Sequence, residues 1–312
     1  MIKNLSFLLL LVVSAGNSYA DVINASDTDK EFVVIGIHGL SNKPSATQLE
    51  KWWKQALDEG LRRNLGVSLS YKFELVYWAD VRNRKPVSPT DQDEPYRPAA
   101  GEGALPSYQG GALDSFRGFV QKWGGRALDK EKELIGLGTN VENVIGLKLE
   151  DMDQYYQDST VRSAMRERLI QVLQRNKDSK IILVAHSMGS IIAYDVLRGL
   201  DANTELHIEH LITIGSPLGL PIVAEKNRQE FGDSKTPAIV LRWSNVSDPG
   251  DKVALDCVLE DEYKGNTRGV KVNDKFTVNG YINPQGIENN HKSYGYLRAP
   301  EFTELINAGL GG

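Results

Sequence analysis

Strands alternating with helices predict an α/β fold built on a mostly parallel sheet, with helices covering both faces. Three observations carry this expectation. Short β-branched runs such as E-F-V-V-I-G-I at 31–37 and K-I-I-L-V-A at 180–185 are apolar on both faces, as strands buried from both sides must be. Segments with apolar residues at helical spacing stand between those runs. Glycine and proline punctuate the junctions, as at Gly66 and Gly215-Ser216-Pro217, while Gly60 marks a weakening within the first helix.

The 312-residue chain opens with Met1-Ile2-Lys3-Asn4, an apolar run from Leu5 to Val13, and Ser18-Tyr19-Ala20. This order of positive start, apolar run and small residues at −3 and −1 is the layout of a secretory signal peptide spanning 1–20, cut after Ala20. It predicts an exported protein, periplasmic or secreted. The run is shorter than the ~20 apolar residues a membrane span needs. Nothing later approaches that length, so no stable transmembrane segment is expected in the domain at 21–312.

The elements then follow in order. Glu31–Ile37 reads as a strand leading into His38-Gly39-Leu40. Ser45–Leu65 carries Leu49, Trp52, Trp53, Ala56, Leu57 and Leu61 at helical spacing, and Tyr71–Trp78 alternates as a second strand. From 82 to 150 the composition changes, with Pro86, Pro89, Pro95, Pro98 and Pro106 among several glycines. A compact domain seldom holds so long an irregular stretch unless it is a lid or binding loop. It therefore reads as an insertion, with short helices at Leu113–Leu128 and Glu131–Leu137. Asp153–Gln174 is patterned as a helix, Lys180–Ala185 as a buried strand and Met188–Leu200 as the next helix. Strands are expected at His207–Ile214, Pro237–Trp243 and Val270–Val278, and the last helix within Ser293–Leu310.

Composition removes several functions. The formal charge of −5 is spread along the chain with no basic block, which leaves nucleic acid without a docking footprint. Cys257 is the single cysteine, so neither an intramolecular disulfide nor a thiolate metal cluster can form. The acidic stretch containing Asp248, Asp251, Asp256, Glu260, Asp261 and Glu262 lacks calcium-loop spacing and reads as a solvated loop. No phosphate-cradling glycine motif follows a strand. No cofactor and no metal are expected.

The chemistry concentrates at I-I-L-V-A-His186-Ser187-Met188-Gly189-Ser190. A buried strand runs into a tight turn with serine at its apex, and a helix begins at once. This is the setting of a nucleophile elbow, G-x-S-x-G. The turn needs small residues two before and two after the serine, and Ala185 and Gly189 meet that steric demand. The Met188 N–H, at the helix N-terminus, is a candidate oxyanion donor, and a second is expected from Leu40 or Ser41 after the first strand. A serine needs a histidine base oriented by a carboxylate. In this architecture the chain order is serine, acid, histidine, and of the five histidines only His291 follows the loop expected to carry the acid. For the acid, Asp251 is preferred to Asp248, which as Asp-Pro-Gly suits a turn initiator. Asp256 stands third. His38 and His186 read as packing or hydrogen-bonding residues around the turns.

The motifs I-G-I-H-G-L, V-A-H-S-M-G-S-I-I-A-Y, T-I-G-S-P-L-G, S-D-P-G-D-K-V and H-K-S-Y together resemble the lipase and serine-esterase branch of the α/β hydrolases. Alanine for the first elbow glycine is also seen in some bacterial lipases of this fold. The resemblance covers 31–80 and 180–300. It implies an α/β-hydrolase fold with a reduced sheet of about six strands, Ser187 as nucleophile, His291 as base, Asp251 (or Asp248) as acid, and Met188 with Leu40 as oxyanion donors. It further implies hydrolysis of a small-molecule or lipid ester through an acyl-enzyme. The insertion at 82–150 lies outside the resemblance, and its Leu105, Tyr108, Phe116, Phe119 and Trp123 are expected either to line a lid or to pack on the core. Acyl transfer by the same residues and a non-catalytic binding protein of the same fold are the alternatives.

Overall fold

The strands β1 (Phe32–Ile37), β2 (Lys72–Val76), β3 (Lys180–His186), β4 (Ile208–Ile214), β5 (Trp243–Ser247) and β6 (Val272–Phe276) pair in parallel throughout. Their order is β2-β1-β3-β4-β5-β6, so the chain reverses direction across the sheet between β1 and β3. The computed structural model describes residues 30–89, 95–110, 150–200, 205–254 and 256–311. The expected signal peptide, the two expected helices of the insertion, and Phe116, Phe119 and Trp123 lie outside these residues.

Period-two alternation sends Val33, Ile35 and Ile37 to one face of the sheet and Val34 to the other. On the first face they meet α2 (Glu150–Gln157), α3 (Ser159–Arg175), α4 (Met188–Gly199) and α5 (Pro221–Phe231) through Tyr155, Leu169, Ile192 and Val223. On the second they meet α1 (Ala46–Leu65), α6 (Ser293–Arg298) and α7 (Pro300–Gly309) through Trp53, Leu57, Tyr296 and Phe302. Gly36 is dictated by this second face: a Cβ there would stand 2.8 Å from the Trp53 ring. Truncating a fully buried Trp53 or Phe302 to alanine would cost roughly 3–5 kcal/mol.

Three expected elements are corrected. The strand placed at Pro237–Trp243 begins where that range ends. Val240 N–H donates to Pro237 O in a turn, and Val240 makes only an isolated bridge with Ile208 at the entry to β4. The strand itself, W-S-N-V-S, is polar by composition yet wholly buried, because Asn245 Nδ2 donates to Ser247 Oγ, Cys257 O and Asp274 Oδ1 and Thr213 Oγ1 donates to Asn245 Oδ1. The helix expected over Asp153–Gln174 is two helices, because Asp158 leaves helical geometry and caps α3, accepting from Thr160 and Val161 N–H. The last helix also divides at Ala299, where Pro300 opens α7 with its missing donor at the one place a helix tolerates it.

The described parts of the insertion, 82–89 and 95–110, carry no helix or strand. Their irregular backbone is tied down by side chains. Glu59, buried in α1, accepts from Ala99 N–H and pairs with Arg63 and Arg298. Tyr108 packs its ring on Phe276 at 5.7 Å. Among the described residues no helix is long and apolar enough to cross a membrane.

Candidate active site

Ser187 occupies the one-residue junction between β3 and α4, with φ 53° and ψ −130°. A non-glycine residue at positive φ is uncommon and costs about 1–3 kcal/mol, so the surroundings must hold it. Ser187 N–H donates to Ile214 O at 3.2 Å. Behind it, Ser190 Oγ donates to Ser187 O at 2.6 Å and lies 2.7 Å from Ser216 Oγ. A Cβ on Gly189 would stand 2.6 Å from Ile37 O and 2.7 Å from His38 O, so the close approach of β1 demands that glycine.

The adjoining turn after β1 lies directly against the serine. A Cβ on Gly39 would come within 2.6 Å of Ser187 Cβ and 3.2 Å of its Oγ. Leu40 is therefore next to the elbow, and Met188 supplies the first helical N–H of α4. His38 holds this turn. Its Nδ1–H donates to Gly39 O at 2.8 Å, its Nε2 accepts from Trp78 N–H at 3.1 Å, and its ring stacks on the Trp78 indole at 4.7 Å. Burial, aided by Lys43, pushes its pKa down to about 3, so it stays neutral.

The two candidate acids follow β5. Asp251 Oδ1 accepts from Val253 N–H at 2.8 Å, while Oδ2 accepts from His291 Nδ1 at 2.8 Å and Tyr296 Oη at 2.7 Å. Asp248 faces elsewhere: Oδ1 accepts from Gly250 N–H, and Oδ2 from Asn279 N–H and Asn290 Nδ2. It initiates the turn and anchors the loop after β6. Asp256 touches neither histidine nor serine; its carboxyl accepts from Val258 N–H, and burial raises it to about 6. Cys257 is buried and its thiol is pushed upward, chiefly by that burial.

His291 lies on the loop between β6 and α6, with Nε2 2.9 Å from Ser187 Oγ. The carboxylate at Nδ1 only accepts, which fixes the Nδ1–H tautomer and leaves the Nε2 lone pair facing the serine hydroxyl. Ser187, His291 and Asp251 thus form one hydrogen-bonded line, an arrangement suited to activating a hydroxyl. Gly215, at φ 52° after β4, makes room for it: a Cβ there would stand 2.9 Å from Asp251 Oδ2 and 3.2 Å from His291 Nδ1. Tyr296 and the Asn279–Asn290 anchor had no legible signal in the sequence, since each depends on which loops meet. Among the described residues no cluster of three or more His, Cys, Asp or Glu is arranged to hold a metal.

An all-parallel six-stranded sheet, with a serine elbow at the carboxyl end of a central strand, defines an α/β-hydrolase domain of the lipase- and esterase-like kind. A family model described as PGAP1-like alpha/beta domain matches residues 144–293, which contain Ser187, Asp251 and His291. The match spans just under half of the 312-residue chain, and the sheet and elbow it contains are those of an α/β-hydrolase fold. Over 88 residues it is 32% identical to a Saccharomyces cerevisiae protein named as a probable mitochondrial phospholipase. That alignment takes in 26% of this chain and 12% of the yeast protein.

Proposed function

We propose that this protein is an exported serine hydrolase that cleaves carboxylic esters through an acyl-enzyme, with Ser187 as nucleophile, His291 as base and Asp251 as orienting acid. The observation that carries the proposal is the unbroken line from Ser187 Oγ to His291 Nε2 at 2.9 Å and from His291 Nδ1 to Asp251 Oδ2 at 2.8 Å. His291 takes the hydroxyl proton as Oγ adds to the ester carbonyl. The negative charge on the carbonyl oxygen is received by the Met188 and Leu40 N–H groups, the first aided by the positive end of α4. The proton then passes to the departing alcohol, and water repeats the sequence to release the acid.

The yeast relative's name favours a lipid ester as substrate. Export is supported by the layout of residues 1–20. The test is labelling of the purified protein by a fluorophosphonate probe, together with hydrolysis of a short-to-long ester series and of phospholipid vesicles. Ser187→Ala and His291→Ala should both abolish labelling and ester cleavage while leaving the fold intact. Labelling that survives Ser187→Ala, or a folded wild type inert toward probe and every ester, would defeat the proposal. Ester product appearing on an added alcohol at the expense of free acid would replace hydrolysis with acyl transfer.

A further inference from the structure

His186 ends β3 immediately before Ser187, and strand alternation turns its side chain to the sheet face that carries α1 and α6. There it is buried, 8% exposed, with the Trp53 ring edge-on at 6.3 Å and Tyr296 at 6.4 Å. Its ring lies 4.8 Å from the His291 ring at a 35° tilt. Its Nε2 is 2.8 Å from the His291 backbone oxygen. A carbonyl only accepts, so Nε2 carries the hydrogen and Nδ1 is bare.

The loop that presents His291 has little regular structure to fix it. Between β6 and α6 it makes one isolated bridge, Ile282 with Glu288, and otherwise turns. Side chains do the holding: Asn289 Oδ1 accepts from His291 N–H, and Asn279 Nδ2 donates to Lys292 O. Both of those ties come from the loop itself, and Asp248 adds an anchor from the loop after β5 through Asn279 N–H and Asn290 Nδ2. The bond from His186 comes from the residue covalently joined to the nucleophile, so it sets the base directly relative to Ser187.

We infer that His186 is a positioning residue, whose Nε2–H holds the His291 backbone so that the base stays within reach of the Ser187 hydroxyl. The inference rests on the proposed serine-hydrolase activity for its kinetic consequence and on geometry alone for the tie itself. The charged and titratable groups around His186 are His291, Lys43, Lys292 and the Tyr296 phenol. Burial first, and His291 second, keep its imidazole well below the ordinary value. A neutral His186 keeps its donor in place while His291 carries the proton, and two adjacent imidazolium rings are avoided.

Two variants separate positioning from packing. His186→Phe keeps a ring against Trp53 and His291 but removes the donor, whereas His186→Gln restores an N–H near the Nε2 position without the ring. The expected result is a kcat and a fluorophosphonate labelling rate lowered roughly 10- to 100-fold in His186→Phe, the scale of a displaced catalytic group, with KM within about twofold. His186→Gln should recover most of that loss. Equal rates in wild type and His186→Phe, or a loss that His186→Gln does not relieve, would overturn the inference. Nitrogen-15 NMR of histidine-labelled wild type tests the tie apart from activity. His186 should show the Nε2–H tautomer without titrating near 6.5, and an Nδ1–H tautomer or an ordinary titration would overturn it. An inert wild type that passes this NMR test would defeat the functional proposal and leave the tie standing.

Discussion

Replacing each candidate acid by asparagine distinguishes their jobs more sharply than removing either side chain. In Asp251→Asn one carboxylate oxygen becomes an NH₂. The remaining oxygen can still serve Val253 N–H, which leaves the NH₂ facing His291 Nδ1 and Tyr296 Oη. His291 must then present Nδ1 as acceptor, which moves its hydrogen to Nε2 and removes the lone pair from Ser187 Oγ. Such a tautomer exchange costs roughly 10⁴-fold in kcat, or about 5.4 kcal/mol of barrier. Asp248→Asn changes different contacts. Its two oxygens accept from Gly250 N–H on one side and from Asn279 N–H and Asn290 Nδ2 on the other, and an NH₂ in either place leaves a donor unmet, which costs about 1–3 kcal/mol of stability. The Ser187–His291 line does not pass through Asp248, so its variant should lose under tenfold in activity when folded. The assay is the pseudo-first-order rate of fluorophosphonate labelling and ester turnover, each at a temperature where circular dichroism reports a folded variant. A folded Asp248→Asn as impaired as Asp251→Asn, or an Asp251→Asn within tenfold of wild type, would refute the assignment.

Gly215→Ala should lose both stability and activity. The added methyl meets Asp251 Oδ2 and Tyr296 Cε2 at 2.9 Å from a backbone at φ 52°, a clash and strain worth roughly 1–3 kcal/mol; denaturant melts and turnover measure it, and an unchanged variant would contradict the packing described. A pH-linked effect is expected at Glu262, whose carboxyl is raised to about 7 by burial first and by Asp256, Asp261 and Asp274. A carboxyl raised in the folded state binds its proton more tightly there than when unfolded, so its contribution is full below about 4.5 and is lost as pH rises through about 7. Glu262→Gln removes that loss and should match wild type near pH 5 but melt about 2 °C higher near pH 8, after allowance for the partial exposure of the group. Equal melting temperatures at both pH values would show the carboxyl to be unperturbed.

The elements legible in the sequence were those whose signal is local. β3, the elbow and α4 announce themselves because an apolar strand, small flanking residues and an amphipathic helix lie in one stretch of about twenty residues. β5 was misplaced because its burial depends on partners in β4, β6 and the loop at Cys257, and W-S-N-V-S shows only polarity until those partners are known. Asp158 broke a helix that periodicity alone reads as continuous, because a capping aspartate and a surface helical aspartate look the same in a hydropathy pattern.

The sequence by itself determined the α/β class and the placement of Ser187 at a strand-to-helix turn, and it singled out His291 as the candidate base, since strand order and residue elimination need no coordinates. It ranked Asp251, Asp248 and Asp256 as candidate acids in that order but could not show which one faces His291. The tertiary structure decided which carboxylate faces His291, that Tyr296 shares it and that His186 Nε2 meets the His291 backbone oxygen. Those contacts join residues 40 to 105 positions apart, brought together at the carboxyl ends of β3, β4, β5 and β6. Side-chain direction there is set by how the loops pack, a long-range property that no local pattern of residues encodes.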